Sequence, residues 1–176
     1  MLKSAVWRPI FAQIDLKNCI FRIKDGTTPA NTLDVTIGEG NMTWSEKKNR
    51  KYTLNRGILD EVRNDDESPM DVKFEFTWEY IRGTASSDGL PSVQDALKQL
   101  GGAAAWVSSD SDACRPYAVD LEIIYQPTPV SCGDQESILF PDFRYETLDH
   151  DLKAGSVSCS GKCNAKEPSV TRQTNS

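Results

Sequence analysis

Residues 70–83, "MDVKFEFTWEYIRG", alternate along their length, with Val72, Phe74, Phe76, Trp78 and Tyr80 at one set of positions and Lys73, Glu75, Thr77 and Glu79 at the other. Successive side chains of a strand point to opposite faces, so this pattern predicts a half-buried strand with an aromatic inner face. The same period recurs where Cys19, Phe21 and Ile23 alternate with Ile20, Arg22 and Lys24. After the turn "DGTTP" it returns in Leu33, Val35 and Ile37 against Asp34 and Thr36, which together read as strand, turn and strand. A third clear run, Tyr117 to Tyr125, sets Tyr117, Val119, Leu121 and Ile123 against Asp120 and Glu122 and is closed by Pro127 and Pro129. Shorter candidates are Ser137 to Phe140 and Ser156 to Cys163.

One segment has the helical period instead. In "PSVQDALKQLGG", Ser92 is placed as N-cap with Asp95 three residues on, Val93, Ala96, Leu97 and Leu100 share a face, and Gly101 or Gly102 is expected to supply the left-handed stop. A single helix cannot alternate with five strands, which excludes parallel α/β folds. The expected class is mainly β: two packed antiparallel sheets, as a β-sandwich or barrel, with one flanking helix and a long charged hairpin loop.

That loop, residues 44–70, breaks the rhythm. Its basic residues Lys47, Lys48, Arg50, Lys51 and Arg56 come first, and the acidic Asp60, Glu61, Asp65, Asp66 and Glu67 follow. A solvated loop is the plain reading; the order of charges also suits an inter-subunit contact in which unlike patches of two copies meet head to tail. Residues 1–165 are expected to form one domain, with 166–176, "KEPSVTRQTNS", as a polar tail that is mobile or ordered only by a neighbour.

Charge narrows the function. The chain of 176 residues has a formal net charge of −6, which argues against a protein that grips nucleic acid, because phosphate binding needs a concentrated basic surface. The opening residues carry Trp7, Arg8 and Pro9 before any apolar run of signal-peptide length, and no window approaches a membrane span, so synthesis in the cytoplasm with reduced cysteines is expected. No phosphate-binding glycine loop is present: "TIGEGNMTW" lacks the Lys and the spacing. His150 is the only histidine, and Asp149 and Asp151 beside it read as turn residues rather than cation ligands. Cys114, Cys132, Cys159 and Cys163 offer four thiols for zinc, but only "CSGKC" is a tight pair, with three residues between instead of the usual two. Buried free thiols fit better, and neither catalysis nor a cofactor is expected.

The runs "LDVTIGEGNMTWSEKKNRKYTLNRGILDEVRNDDESPMDVKFEFTWEYIRG", "DALKQLGGAAAWVSSDSDACRPYAVDLEI" and "ILFPDFRYETLDHDLKAGSVSCSGKCNA" resemble the tail tube (major tail) proteins of long-tailed bacteriophages, from about Ile14 to Ala165. The resemblance lies in the order of elements and carries no catalytic motif. It implies a virion protein of two packed sheets, six copies of which close into a ring, with rings stacked into a tube that conducts DNA at ejection. It also implies partners among the tail proteins (tape measure, terminator and baseplate), with DNA passing the lumen unbound and no membrane involved. Lys73, Glu75, Thr77, Glu79, Asp120 and Glu122 are then expected to line the lumen, where net negative charge repels DNA and lets it slide. Two alternatives remain: another tail component of this fold, such as a tail terminator or head-tail joining protein, and a four-cysteine zinc module.

Overall fold

A computed structural model describes residues 19–35, 41–77, 91–125 and 135–173. In chain order these form β1 (Cys19–Lys24), β2 (Thr32–Val35), β3 (Met42–Ser45), β4 (Arg50–Asn55), β5 (Ile58–Asn64) and β6 (Met70–Thr77). The helix α1 (Val93–Lys98) and a 3₁₀ turn (Gly101–Ala103) follow, then β7 (Val119–Tyr125), β8 (Gln135–Asp151), β9 (Ser156–Cys163) and β10 (Ser169–Gln173). No helix among them is long and apolar enough to cross a membrane.

Strand pairing is antiparallel throughout and runs β2-β1-β7-β8-β9-β6-β3, with β10 also on β8 and β4-β5 forming a separate ribbon. The path folds into two layers because β8 serves both. In its first part residues 136–143 pair with β7 and residues 135–139 with β10, whereas residues 143–151 pair with β9. Register shifts opposite Val119–Leu121 and between Tyr145 and Thr147, together with Asp142 at φ 52°, bend the strand where it changes layer. Phe21 of β1 then packs on Phe74 of β6 with ring centroids 4.9 Å apart, and Trp44 of β3 meets Phe140 of β8 at 5.3 Å.

The inner faces are those that alternation marks. Phe21 and Ile23, Val72, Phe74 and Phe76, Val119, Leu121 and Ile123, and Val157, Cys159 and Cys163 are all buried. Trp78, Glu79 and Tyr80 lie outside the described residues. The helix closes one side by burying Val93, Ala96 and Leu97, and the expected capping box is present: Asp95 N donates to Ser92 Oγ at 3.0 Å and Ser92 N to Asp95 Oδ2 at 3.1 Å. Its stop comes earlier than expected. Gln99, not a glycine, takes the left-handed position at φ 55°, its side chain donating to the Trp106 carbonyl at 2.7 Å, and this turns Leu100 out into solvent. The polar tail also departs from expectation, since Ser169–Gln173 is a strand on β8 of the same chain.

Candidate assembly site

The segment 44–70 contains more order than a loop. Asn55 and Ile58 close a two-residue turn in which Arg56 (φ 51°) and Gly57 (φ 84°) both take positive φ, the geometry that matches the twist of paired strands. Every residue of β4 and β5 is exposed, and the two strands pair only with each other.

The ribbon is nevertheless two-faced. Tyr52 stands opposite Val62 and Leu54 opposite Leu59, while Lys51 stands opposite Arg63 and Thr53 opposite Glu61. Val62 and Leu59 are three apart and would point to opposite faces of a regular strand. The register shift between Thr53 and Leu54 leaves Asp60 as the extra residue of β5 and so returns Leu59 to the face of Val62. The result is one apolar face, with Tyr52 58%, Leu54 63%, Leu59 57% and Val62 46% exposed. Two strands alone are marginally stable in water, and an apolar face of this kind is surface that a partner could cover.

The charges expected to make the inter-subunit contact are divided. Lys47 binds Asp71, Lys48 lies 3.7 Å from Glu167, Glu67 accepts from Lys166 at 2.9 Å, and Glu61 pairs with Arg63 at 2.8 Å. Lys47, Lys48 and Glu67 thereby tie the root of the hairpin to β6 and to the segment before β10, while Glu61 and Arg63 pair within β5. Arg50, Lys51, Arg56, Asp60, Asp65 and Asp66 take part in no ion pair among the described residues. Arg50, Lys51, Arg56 and Arg63 against Asp60 and Glu61 give residues 50–64 a net +2, so the rest of a chain with formal charge −6 holds −8.

The residues expected to line a lumen do not share one surface. Lys73, Glu75 and Thr77 stand on the outer face of β6, opposite Ser160, Ser158 and Ser156 of β9. Asp120 and Glu122 belong to β7 in the other layer, opposite Lys24 and Arg22. Because the inner faces of β1 and β6 meet through Phe21 and Phe74, the outer faces of these layers look away from each other. The two β7 carboxylates are also engaged. Burial pushes Glu122 up, but Lys24 at 2.5 Å and Ser137 Oγ at 2.7 Å hold its carboxyl below the usual range. Asp120 sits at the bend of β8, where burial raises its pKa against the hydrogen bond it accepts from Asp142 N at 2.9 Å. Glu79 lies outside the described residues.

Cys159 and Cys163 point into the core from one face of β9, roughly 13 Å apart along the strand, too far to share an ion. Cys114 is exposed in the loop before β7, and Cys132 lies outside the described residues. No group of three or more metal-ligating side chains gathers among the described residues. His150 contacts Gln94 of α1 at 3.0 Å, and Asp151 accepts from the Lys153 and Ala154 amides as a turn residue, whereas Asp149 stays in β8 opposite Ser158.

Two features carry signals that alternation does not reveal. Asp25 is buried and accepts from Thr27, Asn31 and the Val107 amide, pinning the β1-β2 turn to the segment before β7. Asp110, also buried, accepts from Asp112 N at 3.0 Å, from Arg144 at 2.6 Å and from Arg115 at 3.3 Å.

No family model matches the chain, and no curated protein matches it. Among solved structures, it is similar to the anti-feeding prophage cap, described as the AFP tube terminating cap, with a TM-score of 0.48 and 9% identity over 99% of this chain and 100% of that chain.

Proposed function

We propose that the protein is a structural component of a phage-type tail, made of copies of itself joined in rings, with the β4-β5 hairpin of one copy seated on a neighbour. The apolar ribbon face of Tyr52, Leu54, Leu59 and Val62 carries this reading, since it has nothing to cover it among the described residues. Its positive net charge opposes the negative charge of the rest of the chain, which supports another copy as the occupant. The sequence resemblance adds the hexameric ring, the stacked tube and the passage of DNA. On this reading the role is mechanical, with no catalysis and no cofactor.

The wall that faces DNA is then best sought on the outer face of the layer containing β6 and β9. There Ser156, Ser158 and Ser160 form a row of short hydroxyls flanked by Thr77, Glu75 and Lys73, and Lys162 at the end of the row is paired with Glu146. Negative-stain electron microscopy of the concentrated protein tests the proposal. Stacked rings are expected. Single rings that do not stack would move the reading to a tail terminator or head-tail joining protein, and a monomer at all concentrations would remove both.

A further inference from the structure

The segment 164–168, which links β9 to β10, runs beside the root of the hairpin. Ala165 accepts a hydrogen bond from Met70 N at 2.9 Å, so the link is registered against the residue that begins β6. The next two side chains reach the root from both sides: Lys166 binds Glu67 on the β5 side at 2.9 Å, and Glu167 lies 3.7 Å from Lys48 on the β4 side. The root is itself closed by Asn49, which donates to the Asp66 carbonyl at 2.9 Å and to Ser68 Oγ at 2.7 Å.

Strand β10 has little else to hold it. It pairs on one edge only, with residues 135–139 of β8, and Ser169, Val170, Thr171 and Arg172 are exposed. Its one ion pair among the described residues, Arg172 with Glu136 at 3.1 Å, is open to water on the arginine side. An edge strand with one five-residue ladder depends on its linker for part of its hold, and the linker is fixed by Met70 and by the hairpin root.

We propose that the β4-β5 hairpin and β10 are coupled through an ionic latch, Glu67–Lys166 and Lys48–Glu167, so that the state of the hairpin root sets how firmly β10 holds the edge of β8. Adjacent residues of one short linker carry both bonds, so loosening either frees the same segment. Only the consequence rests on the docking role proposed above: a copy seated on the hairpin would be felt at the open edge of β10. The coupling itself belongs to the single chain.

Amide hydrogen exchange of the full-length protein, followed by mass spectrometry below the concentration of assembly, tests it with Glu67→Lys, Lys166→Glu and the double exchange of charges. Each single variant places like charges together and is expected to speed exchange at residues 169–173 by at least about threefold. The double variant restores an ion pair of opposite polarity and is expected to return to the wild-type rate. Wild-type protein in high salt, where exposed pairs are screened, should behave like the single variants. Unchanged exchange at 169–173 in the single variants, or a double variant as fast as either single, would overturn the coupling. Neither result depends on whether rings form, which microscopy reports separately.

Discussion

Phe21 and Phe74 lie with ring centroids 4.9 Å apart although three strands separate β1 from β6 along the sheet. The contact defines the molecule as a sheet folded onto itself. It also determines which polar side chains can act together, because residues outward of Phe21 and residues outward of Phe74 face opposite sides of the sandwich.

The apolar ribbon face yields the first prediction. Leu54→Lys together with Leu59→Lys changes two residues outside the core, so the melting temperature should stay within a few degrees of wild type. Assembly should be lost, because the changes bury charge in the proposed contact. Circular dichroism on heating and sedimentation velocity check the two halves, and rings formed normally by the variant would show that the apolar face is not the contact.

Backbone approach makes the second. A Cβ on Gly161 would overlap the Arg144 carbonyl oxygen and come within 2.8 Å of Phe143 Cζ, at the register shift of β8 against β9. Gly161→Ala should destabilise by about 1–3 kcal/mol, the usual cost of overpacking. Chemical denaturation measures it, with Ser158→Ala, on the outer face of the same strand, as the control.

Asp110 gives a pH dependence with a definite sign. The Asp112 amide, followed by the Arg144 and Arg115 guanidiniums, brings its carboxyl from the ordinary 3.8 to about 2. The folded form therefore holds fewer protons than the unfolded chain between these values. The contribution of Asp110 is full above about pH 4 and is lost as pH falls toward 2. The melting temperature of wild type should fall more steeply across that window than that of Asp110→Asn, and parallel curves would remove the assignment.

Thiol chemistry separates the cysteines. Burial pushes the Cys159 and Cys163 thiols up to about 12, while Cys114 is exposed. Iodoacetamide at pH 8 should modify Cys114 in the native protein and reach Cys159 and Cys163 only after unfolding, because the thiolate is the reacting form. Mass spectrometry of tryptic peptides reads the order of labelling.

How much of this was legible depends on what generates each feature. β1, β6, β7 and β9 each bury the face that alternation marks, so Phe21, Phe74, Leu121 and Val157 announce themselves by period. β8 does not, because Ile138, Leu139 and Phe140 run together and Pro141 and Asp142 follow where the strand changes layer. The alternation breaks at the bend that makes the fold. β10 is polar and owes its existence to the open edge of β8, a tertiary cause absent from its own residues. The hairpin's apolar face is hidden in the sequence for a related reason: Leu54, Leu59 and Val62 have no common period until Asp60 is extruded. The division of the expected lumen residues follows from layer assignment, which alternation leaves open, since both layers of a sandwich show the same pattern.

β8 has a further consequence. Its 17 residues are a structural member of both layers, so neither layer can melt and leave the other with its partner strand intact. Heating should therefore produce one calorimetric transition for the sandwich rather than two, with the calorimetric and van 't Hoff enthalpies equal. The strands of the hairpin, which pair only with each other, are free to fray below it. A particle built from such parts would join a body that yields all at once to a contact arm that adapts.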